Sequence, residues 1–177
     1  MPSAKILSLF LFCCLPLLLP PALAEEAPQR QHSAHVHGQA QLNLVLDGDT
    51  LLIELQSPAA NLLGFEHAPR TAEQREYLQH TAEGLRQAQR LFVFTPQDAC
   101  QLQQVALDSP LLEAEAGEDH DHADISAHYH YQCQAPERIE VRLFAEFPAI
   151  QVLHAQMVSS DTQQQKALTA EQAGMDF

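Results

Sequence analysis

The alternation of apolar and polar positions predicts a chain built largely from short strands. From position 39 to 46 the two kinds of residue alternate, as in a strand with one buried face. The turn dipeptide Asp47-Gly48 follows, and residues 51–55 return with the same apolar character, so the two segments predict a β-hairpin. Further strands are predicted at 92–94, 100–107, 125–133, 139–144 and 150–153.

Two helices are predicted after this hairpin. Ser57 as N-cap, Pro58 at the first position and Gly64 as the stop predict a short helical turn. Thr71 and Gln74 form a capping-box pattern at the start of a longer helix. Its apolar positions recur at helical spacing: Leu78, Ala82, Leu85, Ala88 and Phe92. The pattern therefore predicts an α+β fold of antiparallel hairpins with one longer helix.

The composition along the chain suggests five segments. Residues 1–24 resemble a signal peptide, with Lys5, an apolar run too short for a membrane span, and small residues before a cleavage site after Ala24. The remaining segments are a flexible leader (25–34), an N-terminal lobe (35–107), an acidic histidine-containing loop (108–124) and a C-terminal lobe (125–177). A weak internal echo, a hairpin followed by a proline-containing turn in each half, favours two similar small lobes. We expect an exported, soluble mature chain that does not insert into the membrane.

Removal of the signal peptide leaves two cysteines, Cys100 and Cys133. An even pair in an exported chain predicts one disulfide, which here would join the strands flanking the acidic loop. The alternative is a pair of thiolate ligands for a metal, and an oxidising compartment argues against it.

The charge balance favours cations as ligands. The chain has 9 basic and 23 acidic residues and a formal net charge of −14. Such a field repels nucleic acid and anionic membrane surfaces and attracts cations. We therefore expect no nucleic-acid partner.

The ten histidines of the chain are clustered, and the clusters point to a metal. Neutral imidazole mixed with carboxylate suits zinc and, to a lesser degree, copper or nickel. His35 and His37 stand two apart at the start of a strand, so their side chains leave on the same face, roughly 6–7 Å apart at the base. Two imidazoles at that separation can bind one ion. The alternative is a tag-like pair on the surface.

A third ligand is suggested by His67, which lies in a loop made rigid by proline. Loops on a rigid scaffold often carry ligands, and Glu66 or another acid could orient a ring from behind. His67 could equally cap the preceding turn. No H-E-x-x-H, G-x-S-x-G or phosphate-binding glycine loop occurs, so no catalytic residue is predicted.

The acidic loop suggests weaker, exchangeable sites. His120 and His122, with Asp124 and neighbouring carboxylates, can raise the local concentration of metal beside a tighter site. A plain solvated loop is the alternative. His128 and His130 extend this set if their face of the strand is exposed. We interpret His154 as a core or edge residue and His80 as a solvated surface residue.

Three stretches resemble the ZrgA-type zinc-uptake proteins of Gram-negative periplasms. They are residues 35–43, residues 57–69, and residues 109–112 ahead of the Asp/His tract, and the resemblance extends from position 35 to about 158. It implies periplasmic zinc binding, cooperation with a zinc ABC importer or its substrate-binding protein, and two similar lobes. As ligands it carries over His35, His37, His67 and His122. The Asp/His tract is shorter here than in relatives, and the family pattern does not include histidine at 128, 130 or 154.

These observations predict a periplasmic protein that captures zinc and does no catalysis. One tight site would be formed by His35, His37, His67 and His122, and weaker ions would bind the acidic loop through His120 and Asp124. One rival is an enzyme similar to copper–zinc superoxide dismutase, which also joins a His-x-His strand to a disulfide. The chain lacks the glycine-rich arginine loop and the aspartate-rich zinc loop of those enzymes. The other rival is a metal-buffering or resistance protein with no importer partner.

Overall fold

The computed structural model describes residues 36–113 and 122–177, which are built mainly of β-strands. The predicted signal peptide, the leader, His35 and His120 lie outside these residues. In chain order the elements are β1 Gln39–Asp47, β2 Thr50–Pro58, α1 Ala59–Leu63, α2 Ala72–Arg86, α3 Ala88–Leu91, β3 Phe92–Thr95, β4 Cys100–Asp108, α4 Pro110–Glu113, β5 Asp124–Cys133, β6 Arg138–Val141, α5 Leu143–Glu146, β7 Val152–Val158, β8 Gln163–Leu168 and β9 Gly174–Asp176.

The strands form two sheets. The larger has the order β4-β5-β2-β1-β7-β8, in which β1 and β7 are parallel and all other neighbours are antiparallel. The smaller has the order β3-β6-β9 and is antiparallel. The predicted hairpin is confirmed as β1 and β2, in which Leu42 pairs with Leu55 and Leu44 with Ile53.

One face of the large sheet is buried in the core. Leu42, Leu44, Ile53 and Leu55 are all buried there. The opposite face is mainly polar and also carries the exposed side chains of Val45 and Leu52. The two sheets meet through edge-to-face aromatic pairs, Phe92 on Tyr129 at 5.0 Å and Phe94 on Tyr131 at 5.1 Å between ring centroids. Burial of apolar side chains between the layers is the main stabilising contribution.

The long helix begins as predicted, and the short one does not. The Thr71 hydroxyl accepts a 3.2 Å hydrogen bond from the Gln74 backbone N–H, and the Gln74 side chain accepts one from the N–H of Arg70 at 2.8 Å. The prediction of Ser57 as the N-cap of α1 is wrong, because Ser57 ends up within β2 and Pro58 precedes the helix. Gly64 ends α1 with a φ of 78°, as expected of a glycine stop.

The α+β prediction was right about antiparallel hairpins and one longer helix, but the chain is mostly β-sheet. The helix α2 has 15 residues, and the other helices of the described chain have four or five. The large sheet takes three strands from residues 35–107 (β4, β2 and β1) and three from residues 125–177 and Asp124 (β5, β7 and β8). The pairing of β5 with β2 and of β7 with β1 supplies the hairpin with neighbours from the other half of the chain.

Several boundaries also differ from the predicted ones. The strand predicted at 139–144 ends at Val141, and α5 follows it. The predicted acidic loop is shorter than 108–124, because β4 runs to Asp108, α4 follows, and β5 begins at Asp124. Two strands were missed, since β8 is rich in glutamine and β9 has only three residues. In residues 36–113 and 122–177, no helix has the length and apolar character needed to cross a membrane.

Candidate metal centre

Three segments that are distant in sequence meet at one end of the large sheet. They are the residues just before β1, the loop that follows α1, and the residues just before β5. Backbone hydrogen bonds hold two of them together: the N–H of Ala123 donates to the carbonyl of Glu66 at 3.2 Å, and the N–H of Ala59 donates to the carbonyl of Ala123 at 2.9 Å. Residue 122 is therefore held beside the Glu66 loop.

The carboxylate of Glu66 joins two imidazoles. Its Oε1 lies 3.0 Å from Nε2 of His37, and its Oε2 lies 3.1 Å from Nδ1 of His122. The Glu66 side chain is only 11% exposed, whereas the two histidine side chains are 70% and 72% exposed. The nearly buried carboxylate of Glu66 is thus covered by two solvent-exposed imidazole rings. His37 and His122 lie 29 and 56 positions from Glu66 in sequence.

The two histidines also change the acidity of Glu66. Burial by itself would raise the pKa of this carboxyl group. The hydrogen bonds from His122 and His37, together with the charge of the two rings, outweigh that effect, and the net pKa of Glu66 is lowered. The contacts of the two histidines therefore favour the ionised form of the carboxylate.

The position of His37 is set by a buried asparagine. The side chain of Asn61, which is 4% exposed, accepts a hydrogen bond from the N–H of Gly38 at 2.8 Å and donates one to the carbonyl of Gln39 at 2.8 Å. Its amide also donates to the hydroxyl of Ser57 at 3.2 Å. Gly38 has a φ of 82°, a conformation that favours glycine. Asn61 therefore connects α1 to the turn that carries His37.

His67 lies next to Glu66 in sequence but makes different contacts. Its Nδ1 donates to the carbonyl of Ala68 at 2.9 Å, and its ring stacks on Phe65 at 5.3 Å between centroids. This hydrogen bond selects the tautomer in which Nε2 has the free lone pair that a metal requires. The ring is bonded to the residue after it and does not cap the preceding turn. Its role as a ligand stays a prediction.

The remaining candidates are placed as follows. Asp124 is half-buried at the start of β5, where its Oδ2 accepts a 3.5 Å hydrogen bond from the side chain of Gln56. His154 is exposed, and its Nε2 lies 3.0 Å from the side-chain oxygen of Gln39. His154 is therefore neither in the core nor on an edge strand, because β7 lies between β1 and β8 and places this residue on the open face of the sheet. His80 is exposed on α2, as expected.

The donor set of two imidazoles and a carboxylate fits zinc, although the side chains do not converge on one coordination centre. Within 36–113 and 122–177, no three His, Cys, Asp or Glu side chains are arranged to hold an ion. His37 and His122 lie against opposite oxygens of Glu66 and flank it. Their nitrogen–oxygen distances of 3.0 and 3.1 Å are those of ordinary hydrogen bonds. Both rings are exposed and can turn toward an ion.

The predicted disulfide is confirmed. Cys100 and Cys133 are bonded and lie opposite each other at the ends of β4 and β5. Cys133 lies nine positions after Asp124 in β5, which is roughly 30 Å along a strand. The cysteines are therefore remote from the histidine cluster and cannot serve it as thiolate ligands.

Sequence reasoning underestimated two residues. Glu66 was considered only as one acid that could orient a ring, whereas the structure makes it the contact point of both imidazoles. Asn61 was missed. The available signal was a single amide among the apolar residues of α1, where a buried polar side chain must find hydrogen-bond partners.

Fold and site together define a β-sheet protein that presents two imidazoles on one carboxylate, a donor set suited to zinc. The family model described as "ZrgA family zinc uptake protein" matches residues 34–177. The chain belongs to this family. No curated protein matches it.

Proposed function

We propose that the protein captures zinc in the periplasm and supplies it to a zinc ABC importer, with no catalytic step of its own. The observation that supports the capture site is the contact of one nearly buried carboxylate, Glu66, with the imidazoles of His37 and His122. Membership of a zinc uptake family supports the choice of metal and the link to transport.

In this proposal the ring N–H groups of His37 and His122 donate to Glu66, so each neutral ring has its lone pair on the other nitrogen, Nδ1 of His37 and Nε2 of His122. Zinc would bind these nitrogens after the rings have turned toward it, and Glu66 would keep the two N–H groups and orient the rings from behind. A ring that carries a second proton must release it to solvent before it can bind the ion. Affinity should therefore fall in acid, because protons compete with zinc for the ring nitrogens.

Further ligands are proposed from the residues predicted by the sequence. His35 lies two positions before His37 and supplies a third imidazole, and His67 supplies a fourth through Nε2. His120 and Asp124 hold additional, weaker ions near the tight site. Two of the ligand rings are largely exposed, which suits a cargo ion that must leave again.

Calorimetric titration of the metal-stripped mature protein with zinc tests the site. We expect at least one tightly bound ion. His37→Gln, His122→Gln and Glu66→Gln should each weaken binding by about 10–100-fold. His80→Gln is the matched control, because that histidine is exposed on α2. A stoichiometry below one, millimolar affinity, or equal binding by all four variants contradicts the proposal.

The importer link needs a separate experiment. A strain lacking the protein should grow poorly when zinc is scarce and normally when zinc is in excess. The His37→Gln/His122→Gln variant should fail to restore growth. Sensitivity to excess metal without a defect under scarcity would instead indicate a buffering or resistance role.

A further inference from the structure

A second pair of histidines lies on the open face of the large sheet, away from the candidate zinc site. Along β5 the buried residues Tyr129 and Tyr131 alternate with His128 and His130, which face outward. The two histidines line a groove of about 430 Å³. Strands β1, β2 and β4 supply most of the other lining residues, among them Asn43, Glu54 and Ala106.

A carboxylate lies beside the first of these rings. His128 is paired with Glu54 across β2 and β5, and its Nδ1 lies 4.0 Å from Oε1 of Glu54. The other oxygen of Glu54 accepts a 3.3 Å hydrogen bond from the side chain of Asn43. At this distance the contact is electrostatic and not a hydrogen bond, so Glu54 contributes negative charge that attracts a cation to the pair.

We propose that His128 and His130 chelate one divalent late first-row metal ion, with Cu²⁺ the preferred member of the class. Same-face residues two apart on a strand are roughly 6–7 Å apart at the base, so both rings can reach one ion at about 2 Å. Water completes the coordination, which is why the site needs no third histidine, cysteine or carboxylate. A site made of imidazole and water contains no soft ligand, such as a thiolate, that would select one metal. Its affinities should therefore follow the general order for divalent first-row metals, in which Cu²⁺ binds more tightly than Ni²⁺ and Zn²⁺.

The pair cannot share an ion with the candidate zinc site. Asp124, at the end of β5 beside residue 122, is four residues from His128, which is roughly 13 Å along the strand. On the other side of β5, His128 is paired with Ala106 of β4, whose small side chain leaves space above the sheet. The two sites should therefore load independently.

The test is a titration of the metal-stripped full mature chain with Cu²⁺. Calorimetry measures the affinity, and electron paramagnetic resonance reports the nitrogen ligands of the copper. All proteins carry His37→Gln/His122→Gln, so that the first site is blocked. The decisive variant adds His130→Gln and Gln132→His. It keeps the number of histidines constant but moves the second ring four residues from His128, roughly 13 Å away. Gln132→His alone is the matched control, since it retains both original rings.

We expect the decisive variant to bind one equivalent of Cu²⁺ on the order of 100-fold more weakly than the control, because chelation is lost. Its spectrum should lose the coupling from a second imidazole nitrogen. Melting temperatures of the two variants show whether both are folded. Equal copper affinity and equal spectra in the decisive variant and the control overturn the proposal, whether or not the first site binds zinc.

Discussion

The backbone N–H of Gly38 donates a 2.8 Å hydrogen bond to the side-chain oxygen of Asn61. The same amide group donates to the carbonyl of Gln39, so one buried side chain serves two backbone groups at the start of β1. His37 is the residue immediately before Gly38, the first of these two backbone groups. The distance between His37 and Glu66 therefore depends on α1, although α1 itself contributes no ligand.

Replacing Asn61 should damage both stability and metal binding. In Asn61→Ala the N–H of Gly38 and the carbonyl of Gln39 lose their partner, and each such loss costs about 1–3 kcal/mol when the group is shielded from water. We expect the free energy of unfolding in urea to fall by about 2–3 kcal/mol and zinc affinity to fall with it.

Asn43→Ala is the control for this change. Asn43 is half-buried on the open face and bonds the side chain of Glu54, so its loss should change stability by about 0.5 kcal/mol or less. Equal destabilisation by the two variants would show that Asn61 has no special part in holding the turn.

The lowered pKa of Glu66 predicts a dependence of stability on pH. A carboxyl group whose pKa is lower in the folded state stabilises that state at pH values above its unfolded pKa, about 4.3. The stabilisation disappears as the pH falls through the lowered value, because both states are then protonated. In the absence of metal, the melting temperature of the wild type should exceed that of Glu66→Gln near pH 6, and the difference should close below about pH 4. A difference that persists at pH 3 would mean that packing, rather than charge, distinguishes the two proteins.

The disulfide should contribute to stability and not to metal binding. It closes a loop of 33 residues, so the double variant Cys100→Ser/Cys133→Ser should lose about 3–4 kcal/mol on the chain-entropy model. Zinc affinity should stay unchanged at temperatures where the variant is folded, because the bridge lies at the far end of β5. Unfolding in urea and zinc calorimetry on the same sample separate the two effects, and a loss of zinc binding by the folded variant would contradict the placement.

Two neighbouring tyrosines should respond differently to loss of the hydroxyl. Tyr129 donates a buried 2.9 Å hydrogen bond to the carbonyl of Leu85, whereas the buried hydroxyl of Tyr131 has no hydrogen-bond partner among residues 36–113 and 122–177. Tyr129→Phe should lower the free energy of unfolding by about 1–2 kcal/mol, because the buried carbonyl of Leu85 loses this hydrogen bond. Tyr131→Phe should be neutral or stabilising, because it removes an unpaired polar group. Thermal unfolding of both variants provides the comparison, and each serves as the control for the other.

Elements governed by neighbours in sequence were predicted well. The β1–β2 hairpin follows from alternation on both sides of Asp47-Gly48, and the start of α2 from Thr71 and Gln74, because these signals act over a few residues. The outward direction of His128 and His130 also follows from the period of a strand. The short strands β8 and β9 carry no comparable local signal, since their order depends on pairing with β7 and β6.

The amino-acid sequence by itself determined the disulfide partners, the family and the kind of chemistry, because cysteine count, motif and histidine density are properties of the linear chain. Only the tertiary structure decided that β7 lies beside β1 and that Glu66, rather than His67, is where His37 and His122 meet. Both results depend on which distant segments bury their apolar faces together. That choice is made by packing across the whole sheet, and no local pattern encodes it.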